Sequence, residues 1–174
     1  IRPSLPAMEA SYEVMGEIDF IRAKALFAKD IDGQMPTIHK HPGIELYHAV
    51  HPGLLLSLRE QGKDVVPINI TLSRENRILL ISGPNAGGKS VCLKTVGMIV
   101  YMTQCGVLPS VYSNSHIGIY DSLFIDIGDQ QSIENDLSTY SSHLLNMKNI
   151  LSRGNDRSLI LIDEFGGGTE PQFG

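Results

Sequence analysis

The chain has 174 residues, 42% of them hydrophobic, which is enough to bury a core and suggests one domain or slightly more. Its formal net charge is −5, from 14 basic and 19 acidic side chains, and the basic ones are scattered singly or in pairs. Gripping a nucleic-acid backbone needs them clustered, so this segment is not expected to hold DNA or RNA unaided. No run approaches the roughly 18 uninterrupted apolar residues of a membrane span, and the opening IRPSLPAMEASYE lacks a basic stretch ahead of an apolar one, so nothing directs the chain out of the cell.

The chain starts at Ile1 and stops at TEPQFG, just after sequence with a catalytic look, so a segment of a longer protein is expected. Cys92 and Cys105 stand in a C-x12-C pattern that matches neither a zinc knuckle nor a disulfide framework. Buried free thiols in a reducing cytoplasm are expected instead.

In chain order, Met8, Tyr12, Met15, Ile18, Ile21 and Ala25 recur at steps of three and four, which predicts a long amphipathic helix over 8–30, ended by Gly33 and Pro36. Residues 36–77 mix β-rich runs (IELYHAV, VVPINITL) with turn residues and predict two or three strands. Next come a strand over Ile78 to Ser82, a glycine loop, and a buried helix from about Ser90 to Gln104. SLFIDIG reads as a strand. A second amphipathic helix follows on Leu137, Tyr140, Leu144, Met147 and Leu151, and SLILIDE is an apolar strand ending in two carboxylates. The alternation indicates an α/β fold with an at least partly parallel sheet. HPG occurs twice, at His41 and His51, and the repetition is read as chance.

GPNAGGKS fits G-x-x-x-x-G-K-[ST], with Gly83, Gly88, Lys89 and Ser90 on the fixed positions. Between strand and helix, such a loop turns backbone N–H groups and a positive helix end onto one anion. Glycine at 83, 87 and 88 allows the backbone to come close; Lys89 can reach β- and γ-phosphates, and the Ser90 hydroxyl can ligate Mg²⁺. LILIDE then supplies a strand-end Asp163 for Mg²⁺ and a Glu164 suited to orient or deprotonate the attacking water. By themselves those two carboxylates could be a cap or a solvated turn, and the Ser and Thr residues at 138, 139, 141 and 142 could be caps for the helix that follows. HKH at 39–41 and HAVH at 48–51 have no carboxylate or cysteine spacing to support a metal site, and His143 is read as a surface or packing histidine.

GPNAGGKS, the STY at Ser138 to Tyr140 and LIDEFGGGTE together resemble the ATPase domain of the MutS family, a branch of the ABC-type P-loop ATPases. GKSVCLKT followed by DIGDQQSIENDLSTYSSHL is most similar to the second bacterial MutS branch, whose full-length members end in an Smr nuclease domain. The likeness covers 44–174 well.

It implies an ABC-type domain over 41–174, with a mixed or parallel sheet flanked by helices, ending after the Walker B strand. Residues 1–40 would be a helix entering from the clamp or lever region. Gly83, Pro84, Asn85, Ala86, Gly87, Gly88, Lys89 and Ser90 become the Walker A loop, Asp163 and Glu164 the Walker B pair, and Gln131 a magnesium-side glutamine. Ser138 and Thr139 become the signature that contacts the γ-phosphate held by the opposite subunit, and Gly166 to Thr169 a loop along the dimer interface. Val65 and Val66 fall where the family approaches the adenine.

The resemblance further implies hydrolysis of Mg-ATP by a homodimer in the bacterial cytoplasm. It also implies nucleic-acid partners outside this segment: branched or mismatched DNA, with suppression of homologous recombination, and ribosomes or rRNA, with rescue of collided ribosomes. The parent protein would carry endonuclease activity in a further domain; no membrane is involved. Where the family has an arginine before HisPro this chain has Val50, so His51 and Pro52 are expected to be structural, and the end at 174 predicts weak turnover. A P-loop kinase and a non-catalytic nucleotide-binding or dimerisation module remain as alternatives.

Overall fold

The computed structural model describes residues 4–84, 87–127 and 136–163, the last beginning with backbone alone over 136–142. The chain opens with α1 (Leu5–Asp30), which has a proline in its first turn and closes on a Schellman motif. Gly33 N–H donates to Ala28 O at 2.7 Å and Asp32 N–H to Lys29 O at 3.4 Å. The left-handed position is taken by Asp32 (φ 54°), whose carboxylate pairs with Arg59, while Arg59 Nη1 also donates to Asp30 O at 2.7 Å. The amphipathic reading of α1 is corrected: Met8, Tyr12, Met15, Ile18 and Ile21 are exposed, as are Val14 and Phe20 off that stripe, and only Ala28 is buried.

Residues 36–77 give three strands, β1 (Thr37–His39), β2 (Ile44–Ala49) and β3 (Ile68–Leu72), and a helix that the sequence reading missed, α2 (Pro52–Glu60). The short run LLL suits a strand or a helix alike. What decides is the N-terminus, where His51 Nδ1 accepts from Leu54 N–H at 3.3 Å and Pro52 occupies the first turn. The two HPG triplets thus differ: the second starts α2, whereas the first lies against Gly118, where any Cβ would stand 2.1 Å from His41 O.

After α3 (Lys89–Gln104) come β4 (His116–Gly118), β5 (Ser122–Asp126), α4 (Asp136–Arg153) and β6 (Ser158–Ile162). One mixed sheet has the order β1-β4-β2-β3, with β1 and β4 parallel and the other neighbours antiparallel. A second pairs β5 with β6 in parallel, Asp126 opposite Ile162, with α4 as the crossover between them. The core lies between the sheets around α3: Ile44, Leu46, Ile117, Val96, Ile99, Val100, Leu159 and Leu161 are all buried.

Three further expectations are corrected. Residues 78–82 form no strand among the described residues, and Ile78 and Leu80 are 91% and 87% exposed. A strand is defined by its ladder, and no described edge pairs with this one. On α4 the half-buried positions are His143, Met147 and Ile150, whereas Leu144 and Leu151 are exposed; of the predicted stripe Met147 turns inward, and the side chains of Leu137 and Tyr140 lie outside the described residues. Cys105 is exposed and Cys92 half-buried, the latter with its thiol pKa pushed up by desolvation.

Candidate phosphate-loop site

Gly83 has φ 149°, and Gly87 N–H donates to Pro84 O at 2.9 Å. Gly88 follows as the N-cap of α3 in the left-handed region (φ 82°, ψ 18°), where a side chain would be strained. No side chain among the described residues caps α3, so its first-turn N–H groups face the loop. Lys89 Nζ reaches back to donate to Gly83 O at 2.5 Å, placing the ammonium across the mouth of the loop. Ser90, half-buried, is the next residue.

Two contacts fix where this loop points. At the far end of α3, Gln104 Oε1 accepts from Tyr120 N–H at 2.9 Å and Gln104 Nε2 donates to Tyr120 O at 3.1 Å, and Tyr120 stands two residues before the first residue of β5. Midway, Gly97 lies so close to the sheet that a Cβ there would meet Leu161 Cδ1 at 2.8 Å and Ile125 Cδ1 at 3.8 Å. The helix therefore runs antiparallel to β5 and β6: its C-terminus sits where the strands start, and its middle crosses them near their ends. Another eight residues, about 12 Å at 1.5 Å each, carry it from Gly97 to Lys89, beyond the carboxyl ends of the strands. Ligands of open α/β sheets bind in that crevice.

At the same ends stands Asp163, one residue past β6 and only 6% exposed, its N–H donating to Asp126 O at 2.8 Å. The Asp163 carboxylate and the Ser90 hydroxyl are both hard oxygen donors, a chemistry that would suit Mg²⁺ better than a softer metal. The structure thus directs the GGKS end of α3 and Asp163 toward one end of the sheet. Val65 is half-buried and Val66 exposed, on the segment between α2 and β3. Ser138 and Thr139 lie in the first turn of α4. Asn85, Ala86, Gln131, Glu164, and Gly166 to Thr169 lie outside the described residues, as do the side chains of Ser138 and Thr139.

The histidine clusters divide differently. His39 Nε2 and His116 Nδ1 share a hydrogen bond at 2.9 Å, His48 stacks on Tyr112, and among the described residues no group of three ligating side chains could hold a metal. His143 is not merely a packing residue. Its Nδ1–H donates to Asp126 Oδ2 at 2.8 Å, and Asn146 Nδ2–H donates to Asp126 Oδ1 at 2.8 Å. A signal for this was available: SLFID and SLILID both end their apolar runs in aspartate, and His143 and Asn146 are three apart on α4.

Residues 79–174 match the family model described as MutS domain V. The chain is 42% identical over 171 residues to "Endonuclease MutS2" of Carboxydothermus hydrogenoformans, covering 98% of this chain and 21% of that protein. It is 44% identical over 168 residues to the protein of that name from Agathobacter rectalis (97% and 20%) and 37% identical over 174 to that from Clostridium kluyveri (100% and 21%). The chain spans about a fifth of the length of the curated relatives it matches. It belongs to the MutS domain V family, the P-loop ATPase domain of MutS-type proteins.

Proposed function

We propose that this chain binds Mg-ATP at the crevice formed by Gly83 to Ser90 and Asp163 and hydrolyses it to ADP and phosphate as an ABC-type domain. The observation that carries the reading is the polarity of α3, pinned by Gln104 to Tyr120 and by Gly97 against Leu161, which sends the glycine loop to the end of the sheet that holds Asp163. Backbone N–H groups of Gly83 and of Asn85 to Gly88, the proline between them having none, cradle the phosphates, and Lys89 moves from Gly83 O to the β- and γ-oxygens. Ser90, Asp163 and Gln131 hold Mg²⁺, which when bound draws charge from the phosphates. Glu164 orients and deprotonates the attacking water. Val65 and Val66 offer the adenine aliphatic contact, and residues 1–40 bring in a helix from a clamp or lever region ahead of the ATPase unit over 41–174.

The site is completed in trans: the first turn of α4, with Ser138 and Thr139, adds positive helix-end potential to the γ-phosphate of a second copy of the chain, and Gly166 to Thr169 line that interface. As part of a longer cytoplasmic bacterial protein akin to the endonucleases it resembles, the domain would drive rearrangements on branched or mismatched DNA, limiting recombination, or on collided ribosomes and their rRNA.

Complementation tests this. Lys89→Ala and Ser138→Ala are each expected to abolish phosphate release. An equal mixture should recover about a quarter of the wild-type rate, since half the dimers are mixed and each has one whole site. No recovery would place the signature in cis and remove the composite site. Transfer of phosphate to a small-molecule acceptor in place of water would make the chain a kinase.

A further inference from the structure

Asp126 closes β5 with a carboxylate 5% exposed, and each of its three oxygens accepts a hydrogen bond. Its main-chain oxygen accepts from Asp163 N–H at 2.8 Å. Its two carboxylate oxygens accept from His143 Nδ1–H and Asn146 Nδ2–H, both at 2.8 Å and both from α4. A buried carboxylate that loses a donor pays its desolvation uncompensated, so this joint tolerates little play. Elsewhere on α4, Leu144, Leu145 and Leu151 are exposed and Met147 and Ile150 half-buried. Its first turn, bearing Ser138 and Thr139, lies four to five residues before His143, about 6–8 Å along the axis.

We infer that Asp126, His143 and Asn146 form a positioning joint that couples the magnesium-side Asp163 to the helix presenting Ser138 and Thr139, so that nucleotide bound at one chain's Walker loop sets the pose of the signature it offers its partner. The inference rests on the Mg-ATP reading above. Asp126 touches neither nucleotide nor metal; it acts through its neighbours. Because its main chain is in register with Ile162 and its side chain grips α4, a shift of Asp163 upon metal binding moves both strand ends and thereby the helix.

Amide hydrogen exchange of residues 143–153 in this chain, measured with and without Mg-ATP, reads the coupling, and binding of a fluorescent ATP analogue reads the site independently. The wild type should show about a tenfold change in α4 exchange on saturation. His143→Leu should bind the analogue within about twofold of wild type yet lose that response, whereas His143→Gln, which keeps a donor, should retain it. Urea midpoints certify that each variant is folded, and Asn146→Leu, which leaves the His143 bond intact, provides a second, milder break. Two results would overturn the inference while leaving Mg-ATP binding in place: a wild type that binds without an α4 response, or a His143→Leu variant that responds as the wild type does. Failure of the wild type to bind would instead defeat the functional reading and the joint with it.

Discussion

Glycine-to-alanine substitutions in two helices of this chain should have opposite signs. Both Gly97 in α3 and Gly16 in α1 are helix-interior, so alanine gains about 1 kcal/mol of helix propensity at each. Around Gly16 nothing lies within 4 Å of the added Cβ. At Gly97 the Cβ would stand 2.8 Å from Leu161 Cδ1, on a side chain that is itself buried, so Leu161 must leave its rotamer or α3 must lift from the sheet. Overpacking of this kind costs about 1–3 kcal/mol, so Gly97→Ala should lose about 0–2 kcal/mol net in urea denaturation. Gly16→Ala should slow amide exchange in α1 instead. Lifting α3 also moves Lys89 and Ser90 relative to Asp163, so nucleotide affinity should fall with stability, and Leu161→Val in the Gly97→Ala background should restore part of both. A Gly97→Ala protein with a raised urea midpoint and unchanged affinity would refute the close packing of α3 on β6 and the site geometry built on it.

His51 caps α2 through a neutral ring, and its pKa is lowered from 6.5 by burial and then by the charge of Lys94. The folded state thus disfavours the proton: this stability is present above pH about 6.5 and is lost as pH falls toward the lower folded value. His51→Asn, which keeps an acceptor, should remove that part of the pH dependence of the urea midpoint, and an unchanged profile would deny the cap its role. Arg157 joins Asp121 Oδ2 at 2.9 Å but also donates to Lys40 O and Ile119 O at 3.2 Å, tying the start of β6 to the neighbouring sheet. Arg157→Ala should therefore cost about 1–2 kcal/mol, and Asp121→Asn under about 0.5, because the ion pair is solvent-exposed whereas the carbonyl bonds span the fold. Equal losses would assign the effect to the ion pair.

How far the sequence was legible depended on whether the signal was local. Lys89 to Gln104 folds as its apolar density predicts, and SLFID and SLILI became paired parallel strands, because both carry the pattern of covered β structure within a few residues. The helix α2 was hidden because its evidence is a histidine cap and a proline, not its three leucines. The inward face of α4 was misjudged because the leucines announce burial, whereas a polar bond from His143 to Asp126 decides which way the helix turns. Residues 78–82 carry strand composition, yet composition cannot supply a ladder partner. In the candidate site, the place of Gly88 and Lys89 at the start of α3 follows from spacing, but the register of α3 on the sheet depends on Gly97, Gln104 and Tyr120, none of which stands out in a one-dimensional reading.

Mg²⁺-dependent binding of a fluorescent ATP analogue to this chain, compared among wild type, Lys89→Ala and Asp163→Asn, addresses the site most directly. The account predicts saturable binding by the wild type, a loss of at least about tenfold in Lys89→Ala, and in Asp163→Asn binding that no longer tightens when Mg²⁺ is added. Equal affinities in all three proteins, with or without Mg²⁺, would contradict the assignment of Gly83 to Ser90 and Asp163 to one nucleotide site.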